Sequence, residues 1–305
     1  MTTSMVIADI PVLFIVAKSL PEAWEKAVLA VWDNGFEVKT QYDKPEDPPS
    51  KDATVIITVN NPFAEPRIHK NFPGGPEELE AYRQEVVEGI HDHWIDPVDF
   101  PLFSEAGKWT YTYHQRLFAY WPVTNIRSPK ARKPSKKRKV NQIRYIIDAL
   151  SKVAYTRRAQ AITWMPTADP KTDDPPCLQR IWCRLVANKA GELSLNMNTH
   201  WRSRDLYKAW FMNVYALTDL QRMIAEQISR KKGVPVSVGR YVDISDSLHI
   251  YGRYFDEVAS EVEKMRNSPF TERAWASTHP AFEKMTAEAR EKLSKDPDWY
   301  AKAKG

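Results

Sequence analysis

With 305 residues, 43% hydrophobic and 27% charged, the chain can bury a sizeable core, and its composition excludes a disordered, collagen-like or disulfide-stapled protein. Two cysteines, no apolar run near the roughly 18–20 residues of a spanning helix, and an opening without the basic start of a secretory signal point to a reducing, cytoplasmic home with no membrane partner. The net charge of +5 is local: segment 127–139, RSPKARKPSKKRK, carries eight Lys and Arg and no acid, and without it 36 basic residues face 39 acidic ones, which argues against a broad nucleic-acid-binding face.

In chain order, VLFIV (12–16) reads as a strand and SLPEAWEKAVLAVWDNG as an amphipathic helix, with Ser19 as N-cap, Pro21 in the first turn and Gly35 as its stop. YDKPEDPPSKD is an exposed loop, and the β-branched TVIITV (54–59) is a buried strand. After PGGP, the run EELEAYRQEVVEGIHDHW (77–94) has helical spacing. The basic segment follows YTYHQRLFAYW and precedes a second helix, VNQIRYIIDALSKVA (140–154). Its composition reads as a solvated loop or insertion, with a nuclear signal or a clamp on an anionic ligand as alternatives.

AQAITW (159–164), CLQRIWCRLV (177–186) and ELSLNMNTHW (192–201) are strands. A long helix over 210–232 interrupts them, VSVGRYVDIS (236–245) resumes strand character, and the tail from Tyr254 is helical and charged. No repeat or linker divides the chain, so residues 1–305 read as one α+β domain with a large sheet.

Cys177, in DDPPCLQRIWC, opens a strand behind two prolines that fix the backbone and keep that end out of a ladder. A thiol there either faces a pocket or is a small buried hydrophobe. Cys183 lies six residues on, an even spacing that puts both on one strand face, too far apart for a disulfide. Two thiols do not make a metal site, and no metal is expected.

Arg202, Ser203 and Asp205 cluster where a strand gives way to a helix, and an arginine beside a hydroxyl suits a phosphate. Asn213 sits in an apolar helix start, where a buried amide needs partners. His249 and Tyr251 share a strand face, and their polar tips can hold a hydroxyl. Arg157 and Arg158 suit a phosphate or a solvated helix end. Each residue alone has an ordinary structural reading; their order and spacing together point to a function.

The series YTYHQRL, NQIRYIIDALSKVAYTRRAQAITW, DDPPCLQ, RSRD with Asn213 seven residues further, and SLHIY resembles the thymidylate synthase superfamily. The closer likeness is to its archaeal-type branch, whose cysteine motif also reads PCLQ. It runs from about Tyr111 to Tyr251 and implies a large mixed sheet packed by helices, one sheet face forming a homodimer interface. It also implies that Cys177 adds to C6 of a uracil ring, so that C5 attacks the one-carbon unit of 5,10-methylenetetrahydrofolate. Arg202 would lie beside the thiol and grip the phosphate with Ser203, while Arg157 and Arg158 would come from the partner subunit.

On the same resemblance, Asn213 reads uracil by donating to O4 and accepting from N3–H, a pattern that cytosine reverses. Asp205 would support the ring and the folate, and His249 and Tyr251 the sugar 3′-hydroxyl. Tyr113, with Tyr111 as the alternative, would help remove the C5 proton through ordered water. Glu80, with Glu78 behind it, would order water near O4, and Trp94 or Trp109 would screen the late intermediate.

The chain departs from the common pattern in having Leu178 for His after the cysteine, Trp201 for Gln before Arg202, and Met165 for Asn after Trp164. Its tail is unlike the C-terminus that closes over the folate, and the basic insertion has no counterpart. The expected activity is conversion of dUMP to dTMP. The same scaffold can also let water replace hydride, giving a 5-hydroxymethyl nucleotide, or serve only to bind nucleotide or RNA. Beyond a solvated insertion, the basic segment would attract folate polyglutamate or dock a replication partner.

Overall fold

The computed structural model describes residues 9–95, 109–121 and 139–304. All of the basic segment except Lys139 lies outside the described residues.

Strand β1 (Val12–Ala17) feeds helix α1 (Leu20–Asn34), followed by β2 (Phe36–Val38), β3 (Ser50–Val59), β4 (Ile68–His69) and α2 (Gly75–Glu88). Helices α3 (Tyr113–Phe118) and α4 (Gln142–Lys152) lead to β5 (Gln160–Ile162), β6 (Leu178–Ala187), β7 (Leu193–Trp201) and β8 (Arg204–Asp205). The central α5 (Trp210–Lys232) precedes β9 (Val236–Ile250). Then come α6 (Phe255–Asn267), α7 (Phe270–Arg273), β10 (Ala274–Trp275), α8 (Pro280–Lys295) and α9 (Trp299–Lys304).

The main sheet runs β1-β3-β9-β7-β6-β5, with β2 beside β3 and β8 beside β9. It is mixed: β1 runs parallel to β3 and β7 to β9, while β3–β9, β6–β7 and β5–β6 are antiparallel. Alternation along the strands builds one apolar face, where Val55, Ile57, Val59, Met197 and Tyr241 are fully buried against α1 and α5. The other face is partly open. Phe14 is 70% exposed, and Ile56 and Ile244, in register beside it, are half-buried. Helix α2 packs on α5, and α8 packs on α2, so the C-terminal helices reach back to the middle of the fold.

Four details differ from the sequence reading. The helix expected over 77–94 ends at Glu88, because Gly89 takes φ 73° and its N–H closes on the carbonyls of Gln84 and Glu85 at 2.9 and 3.2 Å. A Cβ at 89 would stand 2.3 Å from the His114 ring, so glycine is required there on both counts. Ser19 precedes α1 without a side-chain cap bond, and Gly35 ends it in extended conformation. Residues 54–59 are buried on one side only, since Thr54, Ile56 and Thr58 line the open face. Finally, a bulge between Leu178 and Arg180 breaks the alternation of β6. Leu178 and Ile181 are therefore both buried, and Cys183 is fully buried while Cys177 is only half-buried.

Candidate active site

Cys177 stands just ahead of β6 and its carbonyl accepts from the Arg202 N–H at 2.9 Å, immediately beyond the end of β7. Adjacent strands thus bring thiol and guanidinium together. Arg202 Nη2 donates to the Pro175 carbonyl at 2.6 Å and Nε to that of Pro176 at 3.2 Å. The prolines carry no N–H for a ladder, and the arginine locks the turn that presents the thiol.

Burial pushes the Cys177 thiol up, Arg202 pulls it down, Asp174 pushes it up and Arg204 pulls it down, leaving it above its ordinary range. The thiolate is the reactive form, so reactivity is lost as pH falls below that raised value. Arg202→Ala should move the pH profile of Cys177 alkylation by iodoacetamide upward by about one unit. A superimposable profile would remove Arg202 from the thiol's surroundings. Cys183, fully buried and pushed up to about 12, stays silent in that measurement.

Arg204 was not singled out by the sequence. It is buried, pairs with Asp243, donates to Ser245 Oγ at 3.1 Å and lies 4.0 Å over the Trp201 ring. Trp201 in turn meets Tyr113 edge-on, with ring centroids 5.7 Å apart. The Thr112 hydroxyl accepts from the Gln115 N–H at 3.0 Å, which starts α3 and fixes Tyr113 in its first turn. The Leu178 N–H donates to Tyr113 Oη at 3.3 Å, so this hydroxyl sits against the residue after the thiol. Burial and the neighbouring cysteine push it up, keeping it neutral. Tyr111 lies 5.6 Å from Tyr113, ring to ring.

Asn213, buried in the first turn of α5, donates through Nδ2 to Tyr82 Oη on α2 at 2.7 Å. One amide hydrogen is thereby fixed, leaving the other hydrogen and Oδ1 for a ligand edge. Glu80 occupies another face of α2. It is 1% exposed, and its oxygens accept from Arg83, Gln84 and Arg290 at 2.8 to 3.3 Å. Burial pushes this carboxyl up, but the bonds from Arg83 and Arg290 outweigh it and hold it down. Glu80 therefore joins α2 to α8, and Glu78 accepts from Tyr300 Oη at 3.2 Å near the C-terminus. The carboxylate three residues beyond Tyr82, on the same helix face, is the buried Glu85. The Tyr82–Glu85 spacing was legible, but the choice among five glutamates in 77–88 was not.

Asp205 Oδ1 accepts from the Tyr207 and Lys208 N–H groups at 2.9 and 3.0 Å, and no hydrogen bond engages Oδ2 among the described residues. Burial raises this carboxyl. Ser203 is half-buried between the two arginines. His249 pairs with Asp52 across β9 and β3, is 5% exposed, and lies edge-on to Tyr251 at 4.4 Å. Burial pulls it down to about 4, so it is neutral at physiological pH. Its Nε2 is buried without a partner, which suits a ligand hydroxyl.

Arg157 and Arg158 are exposed ahead of edge strand β5. Trp182 Nε1 and the Tyr145 hydroxyl hold their carbonyls at 3.0 and 3.2 Å, and their guanidinium groups make no hydrogen bond to the residues around Cys177. Trp94 stacks on His91 at 3.8 Å, meets Trp109 edge-on at 4.9 Å, and donates Nε1 to Asp298 at 2.7 Å. The C-terminal segment thus reaches the aromatic cluster. Among the described residues, no helix is long and apolar enough to cross a membrane, and no group of three or more His, Cys, Asp or Glu is placed to hold a metal.

A family model described as thymidylate synthase matches residues 80–290. Archaeal relatives named "Putative thymidylate synthase" include one from Methanococcoides burtonii, 25% identical over 79% of this chain and 91% of the relative. Another, from Methanosarcina mazei, is 26% identical over 81% and 93%. A third, from Methanocaldococcus jannaschii, is 27% identical over 79% and 91%. Thermostable thymidylate synthase A from Bacillus subtilis shares the fold, with a TM-score of 0.52 at 18% identity over 80% of this chain and 84% of that one. A match across two thirds of the chain places this protein in the thymidylate synthase family, whose members are one-carbon transferases.

Proposed function

We propose that the protein converts dUMP to dTMP with 5,10-methylenetetrahydrofolate, as a homodimer in the cytoplasm. The grouping of Cys177, Arg202 and Tyr113, with Tyr82 electrostatically coupled to Tyr113 and bonded to Asn213, carries this reading. Cys177 adds to C6, and Arg202, with Ser203, holds the phosphate while its field favours the thiolate. Asn213, its amide set by Tyr82, reads O4 and N3–H. The orphan Nε2 of His249 and the Tyr251 hydroxyl take the sugar. Tyr113 handles the C5 proton from beside the nucleophile. Glu85 replaces Glu80 as the carboxylate near O4, because every Glu80 oxygen is already engaged in packing α2 on α8.

The aromatic faces of Trp94 and Trp109 and the unengaged Oδ2 of Asp205 suit a pterin ring with its N–H donors. That co-substrate supplies the one-carbon unit and then a hydride. The C-terminal segment beside Trp94 is the element placed to exclude water from the last step. Two copies joined through the open sheet face would bury the Phe14, Ile56 and Ile244 row, each large side chain contributing about 1.5–3 kcal/mol on full burial. Such a dimer would give the exposed Arg157 and Arg158 a phosphate in the other subunit.

The test is one incubation with dUMP and methylenetetrahydrofolate, with the nucleotide read by mass and dihydrofolate by absorbance. Methylated nucleotide matched by dihydrofolate is expected. A 5-hydroxymethyl product without dihydrofolate would mean that water takes the place of hydride, and an unreacted dUMP would remove uracil from the pocket.

A further inference from the structure

The ring of His91 has both nitrogens engaged, and the two partners differ in kind. Nδ1 lies 2.8 Å from Glu85 Oε2, and Nε2 lies 3.0 Å from the Pro297 carbonyl in the C-terminal segment. A carbonyl can only accept, so the proton on Nε2 belongs to that bond. The bond to Glu85 then needs one more proton, either on Nδ1, giving an imidazolium beside a carboxylate, or on the carboxyl itself. In both forms two protons are committed, one to the Pro297 carbonyl and one between the ring and Glu85. The ring is 5% exposed and lies flat on Trp94, at 3.8 Å and 8°. It reaches this place because the left-handed turn at Gly89 ends α2 and folds the chain back on the helix face that carries Tyr82 and Glu85. Trp94 and His93 both bond Asp298, next to Pro297, at 2.7 and 2.8 Å.

We propose that His91 is a positioning residue that ties docking of the C-terminal segment to the carboxyl of Glu85. With Pro297 in place, the ring's Nε2 proton is committed and Nδ1 presents one defined face to Glu85. When the segment leaves, Nε2 has no fixed acceptor, the ring is free to turn, and the Glu85 carboxyl loses its fixed orientation. The proposal rests on the reading of Glu85 as the carboxylate near O4.

Two isosteric variants separate the two bonds. His91→Asn keeps a donor near Nδ1 and gives up Pro297, whereas His91→Gln keeps a donor near Nε2 and gives up Glu85. His91→Gln should lower kcat about tenfold or more, with the folate KM within about twofold, and keep the C-terminal segment as protease-resistant as in the wild type. His91→Asn should keep most of kcat, raise the folate KM several-fold, and open cleavage near residues 296–300. Asp298→Ala, which removes the bonds to Trp94 and His93 but keeps the His91 ring, should open the same cleavage and raise the folate KM as His91→Asn does. It should also lower kcat, because the freed ring no longer holds Glu85, and it serves if either histidine variant fails to fold. Equal losses in kcat and KM for the Asn and Gln proteins, or equal protease patterns, would reduce the ring to packing and overturn the proposal. A wild-type protein without turnover on dUMP would sink the substrate reading instead, and the protease comparison, made without substrate, would still decide whether His91 holds the segment.

Discussion

Cys177→Ala should lower turnover of dUMP by about 10⁴-fold or more while leaving the protein folded. The reason is chemical: C5 of uracil is not a nucleophile until an electron pair has been pushed into the ring from C6, and the chain has only one other thiol. Cys183 is sealed in the core with its thiol pushed up to about 12 and cannot substitute. Cys177→Ser should be nearly as inactive, since an alcohol beside Arg202 remains protonated. Cys183→Ala should keep kcat, at a small cost in stability from the cavity it leaves.

Mixing supplies a second readout. If Arg157 and Arg158 serve the partner's phosphate, inactive Cys177→Ala protein combined with inactive Arg157→Ala protein should regain about a quarter of wild-type activity after subunit exchange, because half the dimers are mixed and each has one intact site. No recovery, with exchange demonstrated, would place the arginines outside the site. Substantial turnover by Cys177→Ala alone would overturn the covalent mechanism.

Asn213→Asp should invert the pyrimidine preference. Uracil offers an acceptor at O4 and a donor at N3, and cytosine offers the reverse, so a side chain that pairs with one leaves the other unpaired in a buried site. Loss of that match costs about 10³-fold or more in kcat/KM for dUMP, and dCMP should gain until it is the preferred nucleotide. The structure makes the exchange tolerable. Tyr82 Oη accepts from the Asn213 amide at 2.7 Å, and a hydroxyl can rotate to donate to a carboxylate in the same place. Comparing initial rates on the two nucleotides measures this directly. A variant that lost both activities in proportion would show that Asn213 is held for the fold and not for the base.

The elements were largely legible because their signals are local. The span of α5 over residues 210–232 matches the sequence reading, and the strands 193–201 and 178–187 fall where alternation and β-branching put them. Of the candidate site, the sequence motifs lead to residues that stand close together, as with Arg202 at Cys177 and Tyr113 at Leu178. The contributions of α2 were not legible. The run EELEAYRQE offers several carboxylates at helical spacing, and only tertiary packing separates the one spent on Arg83 and Arg290 from the one beside Tyr82. His91 is hidden for a related reason: the helical spacing of 77–94 runs straight through it, and the left-handed stop at Gly89 that turns it back onto Glu85 is a property of the fold. Arg204 is not legible from sequence, because its burial against Trp201 and Asp243 is a long-range fact.

The placement of β9 between β3 and β7 has a consequence for how the protein is made. Its far end pairs with residues near the start of the chain, as Ile250 does with Lys51, while its near end pairs with β7. Everything between β3 and β9 must leave the ribosome before the middle of the sheet exists. Until then β3 and β7 each present an open edge, in a molecule whose apolar strands would readily pair with a neighbouring nascent chain. The last strand of the sheet to be synthesised is thus the one that joins its halves, and the interval before it emerges is when this protein most needs a chaperone or a low local concentration of its own kind.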